Sequence, residues 1–157
     1  MYPPVQTHPD LLVVSSSGEK QLLVEVKSWL PTAIEDTPAD WAQQTRNRRH
    51  FADGYLLLVT PESVALWLPP LVNAVADVPP IRQPSADVLA NYLKIESYPL
   101  AALSEQELQL VVTAWLGSVM FKPAATLLAL PAQAWLVESG LHAAIFRGFI
   151  RRELMFG

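Results

Sequence analysis

At 157 residues the chain is long enough for one domain with a sizeable core and short for two. Hydrophobic residues make up 51% and charged ones 17%, which excludes intrinsic disorder and leaves apolar surface for a partner or a second copy of the chain. The net charge of −4 argues against a protein that coats nucleic acid non-specifically, although a local basic patch or a divalent ion can still meet phosphate.

The sequence has no cysteine, which removes disulfides and thiolate metal sites and fits a reducing compartment. No basic, apolar leader opens it. The apolar run from Gly54 to Val78 is interrupted by Pro61, Glu62, Pro69, Pro70 and Asp77, so it is too broken to cross a bilayer. The expectation is a cytoplasmic protein with no membrane partner.

Met1 to Thr7 reads as a short extended lead into a strand ending at Val14. The turn-rich Ser15-Ser16-Ser17-Gly18-Glu19-Lys20 follows, then the strand Leu22-Leu23-Val24-Glu25-Val26-Lys27-Ser28, so the two strands predict a hairpin about Gly18. Alternation puts Leu23, Glu25 and Lys27 on one face and Leu22, Val24 and Val26 on the other. The hairpin brings Asp10 to the neighbourhood of Glu25 and Lys27, so two carboxylates and an ammonium meet at the edge of an aliphatic sheet.

Trp29 to Thr37 reads as a loop. Thr37-Pro38-Ala39-Asp40 is a helix start, with a hydroxyl cap, proline at the first helical position and an acid in the first turn. The helix is expected to reach about Phe51, with Trp41, Gln44, Arg48 and Phe51 on its inward stripe and Arg46 and Arg49 on another face with Ala42. Gly54 to Thr60 predicts a buried strand and Val64 to Leu68 another. Pro69 to Pro84, with Pro69, Pro70, Pro79, Pro80 and Pro84, predicts a connector. The remainder reads as helical: a short helix at Ser85, a capping box at Ser104 and Glu107 ahead of an apolar stripe with Trp115, a helix between Pro131 and Gly140, and another from Leu141. Trp115 and Trp135 are expected in the core.

Pro9-Asp10, a hairpin, then Glu25-Val26-Lys27 resembles the PD-(D/E)xK signature of the restriction-endonuclease-like nuclease superfamily. The helix and the strand after it also follow that family's order, and the resemblance covers roughly residues 8 to 68. It implies an α/β fold with a restriction-endonuclease-like core over 1–68, a connector over 69–84 and a helical extension over 85–157 packed on the core. It further implies a metal-dependent DNA endonuclease using Mg²⁺ or Mn²⁺. Asp10 and Glu25 would ligate the ion with the Val26 carbonyl, Lys27 would assist the attacking water, and Gln44 would face the site from the helix. A hard divalent ion suits that chemistry because it takes carboxylate oxygens and acidifies bound water.

Arg48, and with it Arg46 and Arg49, is the candidate DNA contact, because guanidinium groups bind phosphate in pairs of hydrogen bonds. The plainer meaning of Glu25 and Lys27 is a surface ion pair contributing about 0–1 kcal/mol. The alternative for the whole chain is an inactive nuclease-like module serving protein interaction or assembly, as a homodimer or with another protein. The acidic charge, the apolar composition and the lack of room for a helix before Asp10 motivate it.

Overall fold

In the computed structural model, residues 10–29, 37–70, 80–93 and 99–153 are described. The protein is α/β, with a six-stranded mixed sheet in the order β5-β4-β3-β2-β1-β6. The first two strands are β1 (Asp10–Val14) and β2 (Lys20–Val26), joined as the expected hairpin. Its turn closes through Gly18 N–H to Ser15 O and Ser15 N–H to Glu19 O, with Gly18 at φ 90°, a conformation that glycine adopts without the strain of a side chain.

Helix α1 (Pro38–Arg49) carries the chain over the sheet to β3 (Tyr55–Val59), which pairs parallel to β2 from Leu22↔Tyr55 to Val26↔Val59. Parallel pairing requires a crossover of this kind, and the strand–helix–strand unit is its usual form. β4 (Ser63–Trp67) then returns antiparallel.

The second half departs from the expected division into connector and helical extension. The last residues of the proline-rich stretch, Ile81–Pro84, form edge strand β5 on β4. At the opposite edge Phe149–Glu153 form β6, paired antiparallel with β1. The sheet thus takes one edge strand from the end of the expected connector and the other from the end of the expected extension. Both are short and carry arginine or glutamine, so neither shows the apolar alternation that marks a strand in sequence. β6 approaches β1 closely because residue 148 is glycine: a Cβ there would collide with the Val14 carbonyl.

Between these edges lie α2 (Ser85–Val88), α3 (Glu105–Val119), α4 (Ala124–Leu128), α5 (Ala134–Glu138) and α6 (Leu141–Ile145), with single 3₁₀ turns at Ala90–Tyr92 and Leu100–Ala102. The expected capping box is present: Glu107 N–H donates to Ser104 Oγ at 3.1 Å, and Ser104 N–H to Glu107 Oε1 at 3.0 Å. Ser85 opens α2, but its hydroxyl donates to Thr60 O at 2.6 Å instead of capping the helix.

Two apolar layers sandwich the sheet. On one face Leu11, Val13, Leu22, Val24, Val26 and Leu57 pack with Leu108, Val112, Trp115, Leu116 and Leu136 from the helices. On the other Leu12, Leu23, Leu56, Leu58 and Trp67 pack with Ala42, Phe51 and Trp41 around α1. Trp115 is fully buried, stacks on Trp135 with 6.1 Å between ring centroids, and donates from Nε1 to Gln133 Oε1 at 2.9 Å. Gln133 passes the link to Val88 O at 2.8 Å, so its buried amide is satisfied on both sides. His142 is buried with Nε2 at 2.8 Å from Lys122 O; a carbonyl only accepts, so that nitrogen carries the proton. Among the described residues no helix is long and apolar enough to cross a membrane.

Candidate functional site

The site is built where the end of β2 meets α1. Glu25 takes its place in β2 with the parity of Leu23, so its side chain enters the layer beneath α1. It is 0% exposed. An ionised carboxylate at such a depth is costly unless paired. The pairing comes from the last turn of α1: Arg49 Nε donates to Glu25 Oε1 at 3.0 Å and Arg48 Nη2 to the same oxygen at 3.2 Å. Arg49 is 8% exposed and Arg48 is 54% exposed, so Arg49 is the buried half of the clamp and Arg48 its solvent-facing half.

The inward face of α1 differs from the expected one. Ala42, Thr45 and Arg46 are its buried residues, with Arg49 continuing the row, while Gln44 is exposed. The small side chains of Ala42 and Thr45 let the helix lie close to the sheet, and the long stems of Arg46 and Arg49 reach acceptors beyond it. Phe51 is buried, as expected, but it follows His50, whose φ of 53° ends the helix in the left-handed region. Phe51 therefore no longer keeps the helical phase that aligned it with Gln44 and Arg48.

Arg46, expected on a DNA-facing surface, is a structural residue. Its Nη1 donates to Gly54 O at 2.7 Å and Phe51 O at 3.4 Å, and its Nη2 to Leu68 O at 3.3 Å. It ties the end of α1, the turn into β3 and the end of β4 together. Burial pushes its pKa below the usual arginine value, and the nearby charge of Asp53 opposes that shift. Both of its terminal nitrogens are thus engaged by carbonyls inside the fold. Gln44, expected to face the site, does not.

The other motif positions gather at the same end of the sheet. Lys27 stands one residue beyond β2, half-buried, with its N–H donated to Val59 O at 3.0 Å. It makes no ion pair among the described residues. Val26 sits in the β2–β3 ladder opposite Val59, its side chain in the apolar layer under the C-terminal helices. The β1–β2 register runs Leu12↔Leu23, Leu11↔Val24; one step further along, the backbone of Asp10 stands beside Glu25. The side chain of Asp10 lies outside the described residues, as do His8 and Pro9.

Two contacts had no counterpart in the sequence expectations. Ser28 donates its N–H to Glu105 Oε1 at 3.0 Å and its hydroxyl to the same oxygen at 3.4 Å, pinning the end of β2 to the first turn of α3. The Arg49–Glu25 bond is the second; the lone acid in an aliphatic strand already implied a buried cation.

The fit to Mg²⁺ or Mn²⁺ can be judged from the donors. Such an ion takes several hard oxygen ligands, and among the described residues no three acids or histidines converge. Both charged donors sit on Glu25 Oε1, so an ion at that oxygen would compete with them, and the side chain of Asp10, the motif's other acid, lies outside the described residues. Comparison of the chain with protein-family models, with curated proteins and with solved structures finds no match.

Proposed function

We propose that the protein is a nuclease-like module of PD-(D/E)xK pattern whose core serves assembly with protein and not hydrolysis. One observation carries this: Glu25, the acid at the motif's second position, is fully buried and clamped by Arg48 and Arg49. Positive charge at this spot competes with a divalent cation for the same oxygen. On this basis Lys27 and Arg48 are remnants of a phosphate-facing edge, and Arg49 is a structural counter-ion.

A second reading, a metal-dependent DNA endonuclease or phosphodiesterase, has its own support. Asp10 stands beside Glu25 in the ladder and Lys27 ends the same strand, the order that the family's chemistry would use. Arg48 is exposed enough to leave Glu25 for a phosphodiester. In that case Asp10 and Glu25 would hold the ion.

A cleavage assay separates the two. Plasmid, linear and single-stranded DNA are incubated with the protein and excess Mn²⁺ or Mg²⁺, beside Lys27→Ala. The expected outcome is no cleavage above a blank by either protein. Cleavage that is lost in Lys27→Ala would overturn the assembly proposal and establish the nuclease.

A further inference from the structure

Helix α3 buries Leu108, Val112, Trp115, Leu116 and Val119 against the sheet. Its opposite side is apolar too. Leu110 is 66% exposed and Phe121, in the turn that closes the helix, is 59% exposed. Between them on the same side stand exposed Ala114 and half-exposed Gly117. The spacings of four, three and four residues keep all of them on one narrow stripe. From Leu108 to Phe121 no side chain carries a charge. An outward helix face is ordinarily the charged one.

Gly117 sharpens the point. Glycine within a helix lowers its stability relative to alanine, and here no neighbour requires it: apart from the adjoining helix backbone, no atom lies within 4 Å of where its Cβ would stand. A side chain is absent where this chain itself has room for one. Such a gap suits the close approach of another helix.

The stripe is also its own complement. Leu110 and Phe121 are equally far from the midpoint between Trp115 and Leu116, and Ala114 and Gly117 are equally far from it as well. Two copies of α3 packed antiparallel about a two-fold axis at that midpoint place Leu110 of each against Phe121 of the other. Ala114 of each then meets Gly117 of the other, small against small, where the helices cross. An isologous interface needs this reciprocity. The same pairing lays the first turn of each helix, with exposed Glu107, along the other's C-terminal end, where the helix dipole favours it.

We infer that the outer stripe of α3, formed by Leu110, Ala114, Gly117 and Phe121, is the interface of an antiparallel homodimer. This builds on the assembly proposal by naming the partner, yet it is tested without reference to metal or DNA. A single helix pair is smaller than a standard interface, so the dimer is reversible, in the micromolar range or weaker.

Sedimentation equilibrium of the full chain, from low micromolar to near-millimolar concentration, reads the association directly. The native protein is expected to dimerise, and Leu110→Glu and Phe121→Lys are each expected to weaken dimerisation about tenfold or more. Both positions are exposed, so both variants keep the native far-UV circular dichroism. The double variant Leu110→Glu/Phe121→Lys is expected to regain dimerisation, because each new glutamate faces the partner's new lysine. Within one chain the two residues are about 16 Å apart along the helix, so recovery has no intramolecular source. A parallel pair would set like charges together and would not recover. A native chain that stays monomeric, a dimer indifferent to Leu110→Glu, or a double variant weaker than both singles would each overturn the inference. A monomer that also fails to bind metal or cut DNA would remove this interface and leave the assembly proposal in need of another partner.

Discussion

Glu25→Ala is expected to destabilise the protein by about 3–5 kcal/mol, the usual result of removing one partner from a buried ion pair. At this chain length that corresponds to a fall in Tm of roughly 10 °C or more. The loss falls on Arg49, which is 8% exposed and would lose its 3.0 Å bond to the Glu25 carboxylate. Arg48 can turn to solvent and contributes little. Replacing Glu25 and Arg49 together by leucine should recover part of the loss, because a well-packed apolar pair does not carry the desolvation penalty. The sign of the effect is the informative part. An acid kept for metal binding beside another carboxylate strains the metal-free protein, and its removal commonly raises stability at the expense of function. A Tm that rises or stays constant in metal-free Glu25→Ala would contradict the role of Glu25 as an arginine anchor.

Trp115→Ala is the second large effect. It removes a fully buried indole from the layer that joins α3 to β2, which costs about 3–5 kcal/mol in a core. Gln133 Oε1 also loses its donor, and a buried polar group left unpaired adds about 1–3 kcal/mol. Thermal unfolding followed by tryptophan fluorescence and by far-UV circular dichroism should show one shared transition, lowered by roughly 10–15 °C. One transition is expected because the sheet recruits β5 and β6 from outside the hairpin core, so the two halves share a core. Two separated transitions, with the sheet's melting unchanged, would make the C-terminal helices an independent unit.

Much of this architecture was legible where local chemistry decides it. The Ser15–Lys20 turn with Gly18, the Pro38 helix start and the Ser104–Glu107 box each name their own element. β5 and β6 were not legible. Their pairing depends on the unfilled outer edges of β4 and β1, which are tertiary facts, and β6 depends further on glycine at 148 for its approach. The phase of α1 misled for a different reason. Trp41 and Phe51 suggest an apolar stripe, but the helix ends at His50 and the buried row consists of Ala42, Thr45, Arg46 and Arg49. Nothing adjacent in sequence reveals that Arg46 has the carbonyls of Phe51, Gly54 and Leu68 to satisfy it. The site was half legible. Glu25 and Lys27 stood out as charges in an aliphatic strand and lie at the end of a central strand, β2, and not at the expected sheet edge. That Arg48 and Arg49 both reach Glu25 depends on the packing of α1.

Calorimetric titration of Mn²⁺ into the native protein, beside Asp10→Ala, tests the arginine-anchored acid most directly. The native protein is expected to show no saturable heat, and Asp10→Ala to be indistinguishable from it. A one-to-one isotherm in the native protein that disappears in Asp10→Ala would mean that Glu25 and Asp10 form a metal site, and the hydrolytic reading would take the place of the assembly one.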